Sequence, residues 1–401
     1  MRPERNLDQE RVFDAGKYIY TRTDRRGVIL SANRYFVQLS GYDVDQMLGA
    51  PHKILRHPDV PRGVFYLLWQ TLQDGKPFSA FVKNLAADGS YYWTCAIVAP
   101  IDEGYLSVSA KPQGECFDHA RALYAGLLAD EAAGASPAES AALLRARLED
   151  SSHGSLDNFM ATALADIAAE KGAPNCPVNR LRQLRAEMQR LDTTQRDLLA
   201  TLKKLYLIPT NMRILASRLE PSGGPVSAIS DSYKRAASEL MGRLHQRMGD
   251  VTARPSGTAA HGADTGVAMV NRALFFEAAA AILGNAAQQF AAEETLPGVD
   301  SAAERASLSH SLQLFRNEAV ACSGKMTGTV IRVGKEAEHI KRLMSGLDQI
   351  RILGEVESGR LRNSDGGLAA IMTQLTTFHG LIHARLSAMT NAANRMRAGA
   401  E

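Results

Sequence analysis

The residues best placed to do chemistry are Arg56-His57-Pro58-Asp59-Val60-Pro61, followed by Phe65 and Trp69, then by Val82-Lys83-Asn84 and Tyr91-Tyr92-Trp93. A guanidinium, an imidazole, a carboxylate and a carboxamide offer hydrogen bonds in fixed directions, while Phe, Tyr and Trp offer broad apolar faces. Together they suit a pocket for a flat ligand, held by its edge and stacked on its faces. Pro58 biases His57 towards extended backbone, and Asp59 is positioned to cap the helix that opens at Pro61. The loop is therefore stiff. Tyr91, Tyr92 and Trp93 cannot share a face, because neighbours on a strand alternate sides.

Short elements must position these groups. Tyr18–Thr23 and Val28–Leu30 flank Asp24-Arg25-Arg26-Gly27, a hairpin signal because glycine supplies the positive φ such turns need. Asn33 is a helix cap with Gly41 as its stop, and Asp43 with Gln46 has capping-box spacing ahead of Gly49. Phe65, Leu68, Trp69 and Leu72 fall on one face of a helix ended by Gly75. Strands over 78–85 and 91–99 are joined through Asp88-Gly89, and 105–110 supplies the last. The expected order is β-β-α-α-α-β-β-β.

At 401 residues the chain exceeds what one core usually serves, and 45% hydrophobic content excludes global disorder. Lys and Arg number 46 against 43 Asp and Glu, a net +3 too balanced to direct the chain to nucleic acid or an anionic membrane surface. Cys95, Cys116, Cys176 and Cys322 are widely spaced with no CxxC pair, and the first residues lack a signal peptide's apolar core. The richest apolar run, 273–283, is broken by Glu277 and is shorter than the ~20 residues a membrane helix needs. The expectation is a reduced, cytoplasmic protein without membrane insertion.

Beyond residue 115 the pattern is helical. Leu181, Leu184, Met188, Leu191, Gln195, Leu198, Leu202 and Leu205 step by three and four like a coiled-coil seam, with Pro209 a kink. A longer seam runs from Leu308 to Ile350, and 251–265 reads as a flexible linker. Arg213-Ile214-Leu215, Gly224, Ala228-Ile229 and Arg243-Leu244 recur as Arg351-Ile352-Leu353, Gly366, Ala370-Ile371 and Arg385-Leu386, which implies two helical hairpins.

Ala32-Asn33, Phe36-Val37-Gln38, Ser40-Gly41-Tyr42, Pro51-His52, Arg56–Asp59, Phe65, Leu68-Trp69, Val82-Lys83-Asn84, Gly89 and Tyr92-Trp93 carry a resemblance to the PAS domain of aerotaxis receptors, over roughly 17–112. Those receptors bind FAD and report redox or oxygen status. The resemblance implies flavin contacts at Asn33, His52, Arg56, His57, Asp59, Trp69 and Asn84, with Phe65, Phe78 and Trp93 as aromatic neighbours. Phe78 stands where those receptors commonly have Trp. The photoactive branch of the PAS superfamily keeps a cysteine in the helix that the Arg-His loop leads into or replaces, and this chain has none there. No blue-light adduct is expected. Residues 211–234 also resemble, more faintly, the hairpin tip of methyl-accepting chemoreceptors, without its acidic residues.

The expected architecture is an α+β PAS domain followed by a long all-α bundle or coiled coil. Its parts are a cap segment (1–16), a PAS sensor (17–115), connecting helices (116–175), a first hairpin (176–250), the linker (251–265), a helix (266–299) and a second hairpin (300–401). The resemblance implies a homodimer that meets signalling proteins such as a chemotaxis kinase, its coupling protein or chemoreceptor arrays. The competing reading is a ligand-free PAS scaffold. His379 and His383 are spaced i, i+4, but Gly380 fills the position of a zincin's glutamate, so core or solvated histidines are expected rather than a metal site. No Walker loop, GxSxG, Rossmann glycine pattern or kinase motif occurs, so no enzyme is expected.

Overall fold

A computed structural model describes residues 9–169, 176–205, 208–218, 224–252, 266–360 and 366–400. The first elements are β1 (Tyr18–Asp24), β2 (Ile29–Ala32), α1 (Arg34–Ser40), α2 (Val44–Met47), a 3-10 turn over His52–Leu55, α3 (Arg62–Gln73), β3 (Phe78–Leu85), β4 (Tyr91–Ile101) and β5 (Gly104–Ala110). They form an antiparallel sheet of order β2-β1-β5-β4-β3, the expected α+β arrangement. Helices follow: α4 (Glu115–Ala132), α5 (Pro137–Glu149), α6 (Leu156–Ala169), α7 (Pro177–Leu205), α8 (Ile208–Arg218), α9 (Gly224–Thr252), α10 (Gly266–Ala292), α11 (Ser301–Arg360) and α12 (Gly366–Ala400).

Local rules account for much of the first part. Asn33 caps α1 and also ties it to the sheet, because its Oδ1 accepts the Tyr20 N–H at 2.9 Å and its Nδ2 donates to Tyr18 O at 2.9 Å. Asp43 and Gln46 form the capping box of α2. Gly27 takes φ 79° in the hairpin turn, where a side chain would be strained. Ahead of β1, Arg11 donates to Ser90, Asp88 and the Leu39 carbonyl, which anchors residues 9–16 to this domain.

Helix α3 starts differently from the sequence expectation. Its N-cap is Pro61, which has no capping side chain, and Asp59 instead lies 2.6 Å from Lys83 Nζ. The free N–H groups of Arg62 and Gly63 donate to the Glu131 carboxylate on α4, at 3.1 and 3.0 Å. Gly63 permits this close approach: a Cβ there would meet Ser140 Oγ of α5 at 2.5 Å. A tertiary partner has replaced the local cap.

The chain divides into two compact units, Met1–Arg182 with Asn271–Cys322, and Gln183–Val270 with Ser323–Glu401. In the first, one sheet face packs on helices. Phe81 meets Phe117 and Phe159, Trp93 meets Phe117, and Tyr124 Oη donates to Phe81 O at 2.9 Å. Leu106, Val108 and Ile97 are buried, each contributing roughly 1.5–3 kcal/mol. Helix α10 is long and apolar enough, by length and composition, to cross a membrane, although 67% of its most apolar window is buried inside the protein. That burial is a sufficient physical reason for its composition.

In the second unit α7, α8, α9, α11 and α12 pack as a bundle. Leu191, Leu198 and Leu202 of the first seam are buried, as are Met326, Val333, Ile340 and Leu347 of the second. Gly224 and Gly366, paired by the internal repeat, are the first residues of α9 and α12. Tyr233 Oη lies 2.8 Å from His379 Nε2, while His379 Nδ1 and His383 Nε2 each lie 2.6 Å from an oxygen of Asp348. A polar cluster, buried at Tyr233 and His379 and partly exposed at Asp348 and His383, thus joins α9, α11 and α12. From residue 253 on, the expected linker lies outside the described residues, as do 219–223 within the segment compared with a chemoreceptor tip.

Candidate functional site

The other face of the sheet, with α3 and the 3-10 turn, encloses a cavity of about 380 Å³. Strand alternation selects its wall: Ile19, Thr21 and Thr23 from β1, Tyr92, Thr94, Ala96 and Val98 from β4, and Tyr105, Ser107 and Ser109 from β5. The helical stripe predicted for α3 supplies Phe65, Leu68, Trp69 and Leu72. Trp69 stands edge-on to Tyr105 with ring centroids 5.5 Å apart, which holds the α3 side of the wall against the sheet.

Five of the ten predicted site residues come together here: His52, Arg56, Phe65, Trp69 and Asn84. Their meeting has a backbone cause, an isolated antiparallel bridge between Arg56 and Asn84 that pins the Arg-His loop to β3. The Arg56 guanidinium lies 3.5 Å above the Phe65 ring centre, a cation–π contact that orients it. Asn84 Nδ2 donates to Thr94 Oγ1 at 3.1 Å. His52 stacks on Phe36 at 6.4 Å, and burial pushes its imidazole pKa down to about 4, leaving it neutral near pH 7.

The other five have different surroundings. Asn33 is occupied as the α1 cap, and Asp59 as the Lys83 partner. His57 is buried with its Nδ1 accepting the Asp59 N–H at 3.1 Å, and burial, then the Lys83 charge, lowers its pKa. Phe78 lines a separate, smaller pocket with Val64, Ala80, Tyr124 and Leu144, and Trp93 stands on the opposite sheet face against Phe117 and Tyr124. None of these five lines the cavity.

Arg26, Lys53 and the hydroxyl row of Thr21, Thr23, Thr94, Ser107 and Ser109, which are not among the predicted site residues, also line the cavity. The hydroxyls were reachable by counting in twos from Asn84 and Tyr92 across the paired strands. Arg26 and Lys53 sit at turns, where spacing carries no such signal. With Arg56 they give the wall three cations and no carboxylate, and all three are exposed, so the charged part of the wall is open to solvent. The arrangement suits a planar, hydrogen-bonding ligand with an anionic portion. The buried Tyr92 hydroxyl, on a residue of the wall, has no hydrogen-bond partner among the described residues. Cys95, Cys116, Cys176 and Cys322 all lie outside the lining.

The family described as PAS fold matches residues 29–105. The aerotaxis receptor of Escherichia coli K12 is 37% identical over 110 residues, 26% of this chain and 22% of that protein. The nitrogen fixation regulatory protein of Klebsiella pneumoniae is 31% identical over 93 residues, 23% of this chain and 17% of that protein. The biofilm dispersion protein BdlA of Pseudomonas aeruginosa is 33% identical over 82 residues, 20% of each. The chain thus spans about a fifth of the length of these relatives. Among solved structures, the LOV domain of the blue-light photoreceptor Aureochrome1 is 25% identical, with 30% of this chain and 92% of that one covered at a TM-score of 0.23. Sheet order, cavity and sequence matches agree: the N-terminal region of this chain is a PAS domain.

Proposed function

We propose that the cavity binds a flavin, FAD, and that the chain is a cytoplasmic signal-transduction protein of the energy-taxis type. The PAS domain would report redox or oxygen status to the helical bundle, whose changed surface binds signalling proteins such as a chemotaxis kinase, its coupling protein or chemoreceptor arrays, in a homodimer. The observation that carries this reading is the wall itself: aromatic faces from Phe65, Trp69 and Tyr92, edge groups from His52, Arg56 and Asn84, and three cations with no carboxylate. The aerotaxis-receptor match supports it.

A bound flavin supplies reversible electron transfer, with altered charge and hydrogen bonding at its ring edge. The protein's part follows from its own groups. Arg56, parked on Phe65, presents N–H donors and a fixed positive charge, so it responds to any gain of negative charge in the cavity. Neutral His52 donates from one ring nitrogen and accepts at the other. Arg26 and Lys53, which line the cavity and are exposed, would hold an anionic portion of the ligand by charge-assisted hydrogen bonds. Purification with flavin assay tests the reading. Near-stoichiometric FAD, lost in Trp69→Ala or Arg56→Ala protein that keeps its circular dichroism, supports it; folded, colourless protein that takes up no added flavin supports the ligand-free scaffold.

A further inference from the structure

We propose that Tyr20, Arg22 and Glu304 form a latch through which the state of the cavity is transmitted to α11. The inference rests on the reading that the cavity takes a ligand. Its basis is the alternation of β1. Ile19, Thr21 and Thr23 line the cavity, whereas Tyr18, Tyr20 and Arg22, one step out of phase, face the helices. A displacement on one side of the strand reaches the other within a single residue.

On the helix side the contacts are directional. Tyr18 N–H donates to Gln289 Oε1 at 2.7 Å, Gln289 Nε2 returns a bond to Tyr18 O at 2.9 Å, and Asn285 Nδ2 donates to the Tyr18 hydroxyl at 3.1 Å. The Tyr20 ring stands edge-on to Phe290 at 5.1 Å, and its hydroxyl donates to Glu304. Arg22 adds Nε to Glu304 Oε1 at 2.8 Å and to Oε2 at 3.1 Å, with Nη2 at 2.8 Å from Oε1. Glu304 is only 1% exposed. Burial, then the Glu304 charge, raises the Tyr20 phenol pKa, so it remains a donor.

A buried carboxylate is tolerated only while its hydrogen bonds are complete. Small movements of β1 that lengthen the Tyr20 or Arg22 bonds therefore leave Glu304 under-compensated, and the first turn of α11 must move or rehydrate. That turn is otherwise well fixed, with Asp300 Oδ1 accepting the N–H groups of Ala302 and Ala303 at 3.0 and 3.1 Å. Helix α11 carries Glu304 in the first unit and continues without a break into the second. The latch thus lies on a helix whose later turns belong to the bundle it would bias.

Hydrogen–deuterium exchange on the full chain, with and without added FAD, tests this in wild type, Glu304→Gln and Tyr20→Phe. The expected result is an FAD-dependent change of about fivefold or more in exchange of peptides covering 285–310 in wild type. Both variants should lose that response while still binding FAD. Bound FAD with no change at 285–310, or variants that respond like wild type, overturns the latch. Should FAD not bind at all, the flavin reading fails and the latch is read from Thr21→Leu and Ser107→Leu, which enlarge cavity-side residues. Faster exchange at 285–310 in both, absent when combined with Glu304→Gln, supports it; unchanged exchange overturns it.

Discussion

The Glu131 carboxylate of α4 accepts the Gly63 N–H at 3.0 Å, so the helix that forms one wall of the cavity is capped by a residue far along the chain. The same carboxylate accepts the Arg62 N–H at 3.1 Å and is itself nearly buried. Glu131→Ala removes the acceptor for both. Loss of a cap costs about 1 kcal/mol, with a range of ~0.5–2. The expected outcome is a lower unfolding midpoint in urea with unchanged slope, and faster amide exchange in the first turn of α3.

In the second unit, the Tyr233–His379–Asp348–His383 cluster predicts a pH dependence. Burial dominates at His379 and lowers its pKa, with Asp348 opposing. At Asp348 burial acts upward, but hydrogen bonds from His379 and His383 outweigh it and hold the carboxyl below its usual range. Arg351 Nε, 3.5 Å from Asp348 Oδ1, is the other nearby charge. A depressed histidine binds its proton more weakly folded than unfolded, so its contribution is intact above the ordinary value near 6.5 and is lost as pH falls below it. The slope is at most about 1.4 kcal/mol per pH unit per proton. Helical unfolding followed by circular dichroism should show the midpoint falling between pH 7 and 5, with a flatter profile in His379→Asn.

Arg56 separates charge from shape. Arg56→Lys keeps a cation but loses the flat guanidinium stacked 3.5 Å above Phe65, whereas Arg56→Ala loses both. Flavin affinity should fall about tenfold in the lysine variant, equivalent to ~1.4 kcal/mol, and further in the alanine variant. Fluorescence titration with FAD checks the order; equal affinity in all three proteins contradicts it.

Illumination gives a further test. Cys95 is buried on the helix-facing side of β4, opposite Phe81 across the β3–β4 pair, and burial pushes its thiol pKa up to about 12. With no cysteine in the cavity wall, flavin-loaded protein should show the same absorbance spectrum before and after blue light. A reversible bleach would contradict this.

Much of the first domain was legible because its signals are local. Gly27, Asn33, Gly41, Asp43, Gln46 and Gly75 each mark a turn or helix end through their own backbone chemistry, and the structure places those ends accordingly. Asp59 was not legible. Its local role as a cap lost to the Lys83 ammonium at 2.6 Å, and Glu131 took over α3 from 69 residues away in sequence from Arg62. Tyr92 and Trp93 show a second limit: alternation says that they face opposite ways, but only the packing of Phe117 and Tyr124 decides which of them faces the helices. Glu304 shows a third. It lies one helical step before Leu308 on the same stripe, yet its partners Tyr20 and Arg22 come from a distant strand, and no spacing rule connects them.

The flavin content of the purified full chain, measured by absorbance after incubation with excess FAD and gel filtration, bears most directly on the account. Close to one FAD per chain is predicted, falling sharply in a folded Trp69→Ala variant. Folded wild-type protein that emerges without flavin would contradict it.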